Sequence, residues 1–355
     1  MSARRVVVAM SGGVDSSVAA ALVVERGDEA IGVTMNLAGS SSRCCSLEDA
    51  DDARLVADRL GMRFYVANYR ERFQREVIDE FARAYLAGRT PIPCVACNQS
   101  FKFEYLLERA KVFGASAVAS GHYARVDRDP ETGLRRLRRA VDSHKDQTYF
   151  LFGLSQAQLC AADFPLGAMT KAEVRERARS LGLATAEKPE SQEICFVPDG
   201  DYAGAVERAQ PGALPGEGEI IDAAGRVLGR HRGIHRYTVG QRRGLGIASE
   251  RRLYVTAIDA ERNRVVVGGE RELEAPAARI ERVSWIAGVA PPPGTRAEVR
   301  IRHQHAPAPA RLEPGAEATV VRFDAPVSAI APGQAAVFYR GDVVLGGGWI
   351  AGAAA

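Results

Sequence analysis

Two sets of residues in this chain have types and spacing that could do chemistry. The first is Ser11-Gly12-Gly13-Val14-Asp15-Ser16-Ser17, which follows directly on the apolar run Val6-Val7-Val8-Ala9-Met10. Gly12 and Gly13 let the backbone turn tightly and approach a ligand with no Cβ in the way. Ser16 and Ser17 open a helix whose unpaired N–H groups attract anions. The chemistry implied is nucleotide phosphate binding. Asp15 would repel a bare phosphate, so its place here points to a Mg²⁺ ion shared between its carboxylate and the phosphate oxygens. The loop lacks the Gly-Lys-Ser/Thr ending of the kinase and GTPase P-loop. The second set is three thiols: Cys94 and Cys97 in Arg89-Thr90-Pro91-Ile92-Pro93-Cys94-Val95-Ala96-Cys97-Asn98, and Cys195 in the stretch SQEICF. Pro91 and Pro93 are expected to hold an extended loop that presents the first two. By itself a Cys-x-x-Cys pair is compatible with zinc, redox exchange or accident. Cys195, flanked by Ile194 and Phe196, reads equally well as a core residue.

These residues sit in a chain of 355 residues that is 46% hydrophobic, enough for two or three domains each with its own core. No apolar run is long enough to span a membrane, and the start, MSARRVVVAMSGG, has no signal-peptide core, so a cytoplasmic protein with no membrane partner is expected. Six cysteines in a reducing compartment argue against a disulfide framework and favour packing, metal binding or catalysis. A net charge of +3 is only mildly basic; a polyanionic partner would have to be met by local patches.

The elements that must position the two sets alternate. Strands at 6–10, 30–36, 63–68 and 116–122 are separated by helices at 15–26, 47–60, 71–87 and 101–113. That pattern predicts an α/β fold with a mostly parallel, doubly wound sheet whose ligands lie at the carboxyl ends of the strands, where Ser11, Met35 and Gly121 fall. A β-hairpin around Asp129-Pro130-Glu131-Thr132-Gly133 follows Tyr123, and an amphipathic helix covers 171–182. Beyond Gly200, glycines and short strands replace helices. The expected division is a nucleotide-binding domain at 1–199, a small central domain at 200–272 and a C-terminal β-barrel at 273–355.

SGGVDSS resembles the pyrophosphatase loop of enzymes that adenylate an oxygen and release pyrophosphate, the adenine nucleotide alpha hydrolase-like group. Together with GRTPIPCVACNQSFKF, ASGHYAR, KDQTYFL, SQEICFV and GIHRYTVGQRRGLGI, it resembles the tRNA-specific 2-thiouridylases over nearly the whole chain. The resemblance implies an enzyme, a tRNA-uridine 2-sulfurtransferase. It would adenylate the C2 oxygen of the wobble uridine with ATP and Mg²⁺ and then install sulfur. It implies ATP contacts at Ala9, Met10, Ser11, Gly12, Gly13, Val14, Asp15, Ser16, Met35 and Gly121. Cys195 would carry the sulfur as a persulfide, and Cys97 would act as the nucleophile that leaves a Cys97–Cys195 disulfide. Many relatives carry Asp where this chain has Cys94. A third thiolate there would let Cys94, Cys97 and Cys195 hold a [4Fe–4S] cluster with one open iron, and cluster and cluster-free persulfide chemistry both stay open. Zinc would need a fourth ligand that the sequence does not offer. Cys44 and Cys45 read as accessory or incidental, and Cys160 as core.

For the tRNA, expected to be of the lysine, glutamate or glutamine type, the resemblance implies that Ile92, Pro93 and Cys94 line the target base. Contacts would come from His122, Lys145, Asp146, Gln147, Arg302, His303 and Gln334. His122 also reads as a cap on its strand end, and the carry-over to His303 is weakened because an aromatic usually stands there. The basic run Arg226, Arg230, His231, Arg232, His235, Arg236, Arg242 and Arg243, with Tyr237 and interspersed glycines, reads as a flexible cationic ribbon for phosphates. A sulfur-donor protein fed by a cysteine desulfurase is the implied partner. The rival readings are a related enzyme that adenylates a small molecule, which would need neither Cys97 nor Cys195, and a tRNA-binding protein without activity.

Overall fold

The computed structural model describes residues 3–37, 47–189, 194–197 and 199–354; Cys44 and Cys45 lie outside them. Its N-terminal part carries the parallel strands β1 (Arg5–Ala9), β2 (Glu29–Asn36), β3 (Arg63–Asn68) and β4 (Ala117–Ser120). An antiparallel hairpin of β5 (Ala124–Arg128) and β6 (Arg135–Arg139) follows, and then the short β7 (Ala162–Asp163). The sheet order is β3-β2-β1-β4-β7, parallel throughout. Val6 and Val8 of β1 face a core shared with helices α1 (Val14–Glu25) and α2 (Leu47–Arg59), while Val7 faces the opposite core with Phe73, Phe101 and Leu106. Burial on both faces is why β1 is apolar without alternation. The chain leaves β1 for β2 on one side and returns to β4 on the other, so a crevice opens at the carboxyl ends of β1 and β4.

Two helices differ from expectation. The first runs from Arg70 to Leu86 with a π-helical stretch at Gln74–Ile78. The second begins at Pro93 and is π-helical over Cys97–Tyr105 before ending at Val112. The prolines therefore do not hold Cys94 and Cys97 in an extended loop. Pro93 starts a helix, because its ring presets the helical φ and its missing N–H is one the first turn leaves unpaired anyway. Cys160 is also corrected: it is exposed on the short helix Gln156–Ala161, and Leu159 supplies the buried side.

The middle of the chain forms a four-stranded sheet from Gly218–Asp222, Val227–His231, Tyr254–Asp259 and Arg264–Gly268 around Ile220, Val255, Val265 and Val267. Six further strands close into a barrel, because Glu274–Trp285 pairs with both Ala318–Ser328 and Val343–Ala354. The β5–β6 hairpin extends this barrel's sheet through Arg138 opposite Val343. Arg138 and Arg125 reach Asp342 at 2.7 and 2.9 Å, and Arg136 and Arg138 each reach Asp127 at 2.7 Å. The Arg136 hydrogen bond above all, helped by Arg138, holds Asp127 down to about 2 against the opposing effect of burial. Among the described residues no helix is long and apolar enough to cross a membrane.

Candidate active site

The nucleotide loop is held by its own short-range bonds. Met10 continues the sheet, donating its N–H to the Val33 carbonyl at 2.9 Å and accepting from the Thr34 hydroxyl at 2.7 Å. The Ser16 hydroxyl accepts from the Ser11 N–H at 3.2 Å and donates to the Gly13 carbonyl at 3.0 Å; Ser17 donates to the same carbonyl at 2.9 Å. Gly12 has φ +69°, and a Cβ there would collide with the carbonyl of Asp49 in α2. Gly121 follows β4, and a Cβ on it would fall 2.7 Å from the Asp15 carbonyl carbon and from the Ser16 nitrogen. The ends of β1 and β4 thus meet the first turn of α1, where helix N–H groups and the helix dipole favour anions. Ala9 through Ser16 and Gly121 come together there, with Met35 buried near the end of the adjacent β2.

Asp15 has partners that its sequence neighbourhood does not suggest. Its carboxylate accepts from the Tyr123 hydroxyl at 2.8 Å and from Lys171 Nζ at 2.7 and 2.9 Å. Lys171 is the first residue of the helix Lys171–Ser180, whose start is set by a capping box between Thr170 and Glu173. That box was the available signal for where Lys171 sits. Nothing local says that it meets a residue 156 positions away. Both carboxylate oxygens accept from one ammonium, so a cation at Asp15 would have to share them with Lys171.

The thiol helix is held from outside. Gln158 donates to the carbonyls of Gln99 and Phe103 at 3.3 and 2.9 Å, inside the π-helical stretch, where backbone pairing departs from the regular ladder. The Tyr105 hydroxyl donates to Glu76 at 2.8 Å and joins the two π-containing helices; that bond, with burial, pushes the Tyr105 phenol up. Cys94 and Cys97 are half-buried one helical turn apart. Cys195 is half-buried too, and its neighbour Phe196 wedges edge-on against Phe73 and Phe81 at 5.9 and 5.2 Å. Cys97 and Cys195 pack on the same core cluster. Among the described residues no three His, Cys, Asp or Glu side chains are grouped closely enough to hold a metal ion.

The residues expected to meet tRNA are dispersed around this core. Ile92 is half-buried and Pro93 buried at the start of the thiol helix. His122 is 8% exposed between Phe103 and Phe164, with Nδ1 2.8 Å from the Ser120 hydroxyl and Nε2 3.5 Å from Lys102 Nζ. Burial, and secondarily the Lys102 charge, push its imidazole well below the ordinary histidine range. Asp146 is 4% exposed and accepts from the Thr148 hydroxyl at 2.9 Å, with Arg300 of the barrel 3.9 Å away. Gln147 accepts the Tyr123 N–H at 2.9 Å, beside the half-buried Lys145. Gln334 donates to the Thr90 carbonyl at 3.0 Å, so the barrel grips the segment that leads into the thiol helix. Arg302 is half-buried, and the exposed His303 lies 4.5 Å from the Phe150 ring.

The basic run is not one flexible ribbon. His231, His235 and Tyr237 are buried. His231 accepts the Gly233 N–H at 3.0 Å and donates to the Asn263 carbonyl at 3.1 Å. Arg226 is paired with Asp222 and Arg236 with Glu207. Arg232, Arg242 and Arg243 are exposed.

Three family models match the chain in succession: the tRNA methyl transferase HUP domain over residues 4–199, the tRNA methyl transferase PRC-barrel domain over 212–269 and the aminomethyltransferase beta-barrel domain over 276–350. The tRNA-specific 2-thiouridylase MnmA of Geobacter metallireducens is 52% identical over 98% of this chain and 96% of that protein. Its counterpart in Solibacter usitatus is 50% identical over 99% of this chain and 100% of that protein, and the one in Rhodospirillum rubrum is 51% identical over 98% and 96%. The chain belongs to the MnmA family of tRNA-specific 2-thiouridylases.

Proposed function

We propose that this protein is a tRNA 2-thiouridylase that uses ATP to replace the C2 oxygen of a wobble uridine with sulfur. The observation that carries the reading is the convergence of Gly121 and the Gly12-Gly13 turn on the first turn of α1, on the same sheet that supports the thiol helix. The uridine C2 carbonyl is a poor electrophile with no leaving group. Its oxygen attacks the α-phosphorus of ATP, the α–β phosphate bond breaks, and pyrophosphate leaves with the electron pair as the N3 proton is lost. Ala9 through Ser16 cradle the phosphates, with Met35 and Gly121 beside the nucleotide; Mg²⁺ supplies charge shielding on the phosphates it accompanies.

Sulfur then attacks C2, and AMP departs with the electrons of the C2–O bond. In this reading Cys195 bears a persulfide loaded by a sulfur-donor protein, and its terminal sulfur bonds to C2. The Cys97 thiolate attacks the Cys195 sulfur and the persulfide S–S bond breaks toward the product. The resulting Cys97–Cys195 disulfide is returned to thiols by an external thiol reductant. Ile92, Pro93 and Cys94 line the target base, and His122, Lys145, Asp146, Gln147, Arg302, His303 and Gln334 shape or contact the tRNA path. This is the cluster-free route; a [4Fe–4S] cluster held by Cys94, Cys97 and Cys195 is the alternative that the test below separates from it.

The test is 2-thiouridine formation on unmodified lysine tRNA, with ATP, Mg²⁺, and cysteine plus a cysteine desulfurase as sulfur source. Iron-free enzyme is expected to thiolate. Cys97→Ser and Cys195→Ser are expected to lose thiolation while keeping tRNA-dependent pyrophosphate release. Full thiolation by either variant overturns its assignment, and activity only after anaerobic reconstitution with iron and sulfide overturns the cluster-free route.

A further inference from the structure

We propose that Lys171 is a positioning residue for the adenylation step. Its ammonium, and not a protein-bound Mg²⁺, is the counter-charge that lets Asp15 occupy the first turn of α1 beside the nucleotide phosphates. The inference rests on the reading of that loop as the ATP site. A carboxylate at this position suits the helix dipole but opposes an incoming triphosphate. The fold answers with a cation fixed at its root. Lys171 donates its backbone N–H to Asp142 at 3.0 Å, sits at the first position of a capped helix, and has a side chain only 12% exposed. From there Nζ reaches both oxygens of Asp15, at 2.7 and 2.9 Å. Tyr123, 2% exposed, completes the set through its hydroxyl, 2.8 Å from Asp15 Oδ1. Its backbone N–H is fixed by Gln147. Holding the long lysine side chain costs rotamer entropy, which the paired charge-assisted hydrogen bonds to Asp15 offset. The Asp15–Lys171 pair is neutral overall, which leaves the N–H groups of the loop to meet the phosphates, while the metal travels with ATP and takes no ligand from Asp15.

The test compares wild type with Lys171→Met, Lys171→Arg, Asp15→Asn and the double Asp15→Asn/Lys171→Met variant. The readouts are tRNA-dependent pyrophosphate release, tRNA affinity, thermal midpoint, and Mn²⁺ binding to the nucleotide-free protein by electron paramagnetic resonance. Lys171→Met is expected to lose about a hundredfold in kcat/KM for pyrophosphate release, with partial rescue in Lys171→Arg. The double variant is expected to be no worse than the poorer single one, because the pair acts as a unit. Wild type is expected to show no Asp15-dependent Mn²⁺ binding, and Lys171→Met to acquire it. Pyrophosphate kinetics in Lys171→Met equal to wild type overturn the proposal, as does Asp15-dependent Mn²⁺ binding by wild type. A parallel fall in thermal midpoint and tRNA affinity, marking a merely structural role, also overturns it. If wild type itself releases no pyrophosphate with tRNA, it is the thiouridylase reading that fails, and the Mn²⁺ result still decides the role of Lys171.

Discussion

The nucleotide loop and the thiol helix rest on the same sheet, yet they are held differently. The loop is held mainly at short range, by the Ser16 and Ser17 hydroxyls bonded to main chain within Ser11–Ser17 and by two glycines that admit neighbouring main chain, with Lys171 and Tyr123 reaching only its Asp15 from afar. The thiol helix is held by side chains that arrive from far along the sequence, Gln158 on its open carbonyls, Glu76 on Tyr105, and Gln334 on the segment before it. Phe196 is clamped by Phe73 and Phe81 to hold Cys195 nearby. A phosphate cradle needs N–H groups in one fixed array. A sulfur relay needs two thiols that can approach a base and then each other, which suits a helix whose bonding is already interrupted. Damage to the first should therefore be all-or-none, and damage to the second graded.

The largest effect expected is that of Gly121→Val. Its side chain would displace the first turn of α1 and lower tRNA-dependent pyrophosphate release by about a hundredfold or more. Persulfide loading of Cys195, followed with labelled sulfur, should remain as in wild type; an equal loss there would mean that the two regions are not separable. Phe196→Ala should do the reverse. Removing a half-buried ring from its aromatic clamp should cost about 2 kcal/mol of stability, seen in a urea titration, and reduce thiolation more than pyrophosphate release. Gln158→Ala strips the carbonyls of Gln99 and Phe103 of their donor. It should cost about 1–2 kcal/mol and accelerate amide hydrogen exchange within Cys97–Tyr105, leaving exchange in α1 unchanged.

The smallest effect concerns His122, which touches Ser120 at the end of β4 and Lys102 of the thiol helix and so joins the two regions. Its native imidazole stays neutral well below the ordinary histidine range. The unfolded chain takes up a proton as pH falls through about 6.5 and the native state does not, so stability falls with pH there, by roughly 1 kcal/mol between pH 6.5 and 5.5. Urea midpoints across that range should show the slope, and His122→Gln should remove one proton's worth of it. A slope unchanged in His122→Gln would place the proton uptake elsewhere, with the buried His231, also held below the ordinary range, as the next residue to vary.

Much of this was legible along the chain. The five-element start, β1 through α2 and β3, follows from apolar runs and helix stops a few residues long, and the strand–SGGVDSS–helix passage announces its own geometry. The resemblance carried the family, while the three-part order followed from helices giving way to glycines and short strands beyond Gly200. Other features were not legible for identifiable reasons. Pro93 looked like part of a rigid loop because a proline pair is compatible with both an extended segment and a helix start, and packing chose the helix. The histidines at 231 and 235 looked like part of a cationic surface because local sequence reports charge type and not burial. The arginines of the β5–β6 hairpin likewise gave no hint that Asp342 would claim two of them.

What the sequence by itself determined is whatever depends on neighbours within a turn or two: the apolar strand, the turn that only glycine permits, the capped helix at Thr170, and the presence of two thiols in recognisable settings. What only the tertiary structure decided is which distant side chains share a site. Lys171 meets Asp15 because two helices pack on one face of the sheet, and Phe196 fixes Cys195 because a separate helix offers two rings. Such meetings are enforced by close packing of the whole core and by the cost of leaving a buried charge without its partner, and neither is a property of any short stretch of chain.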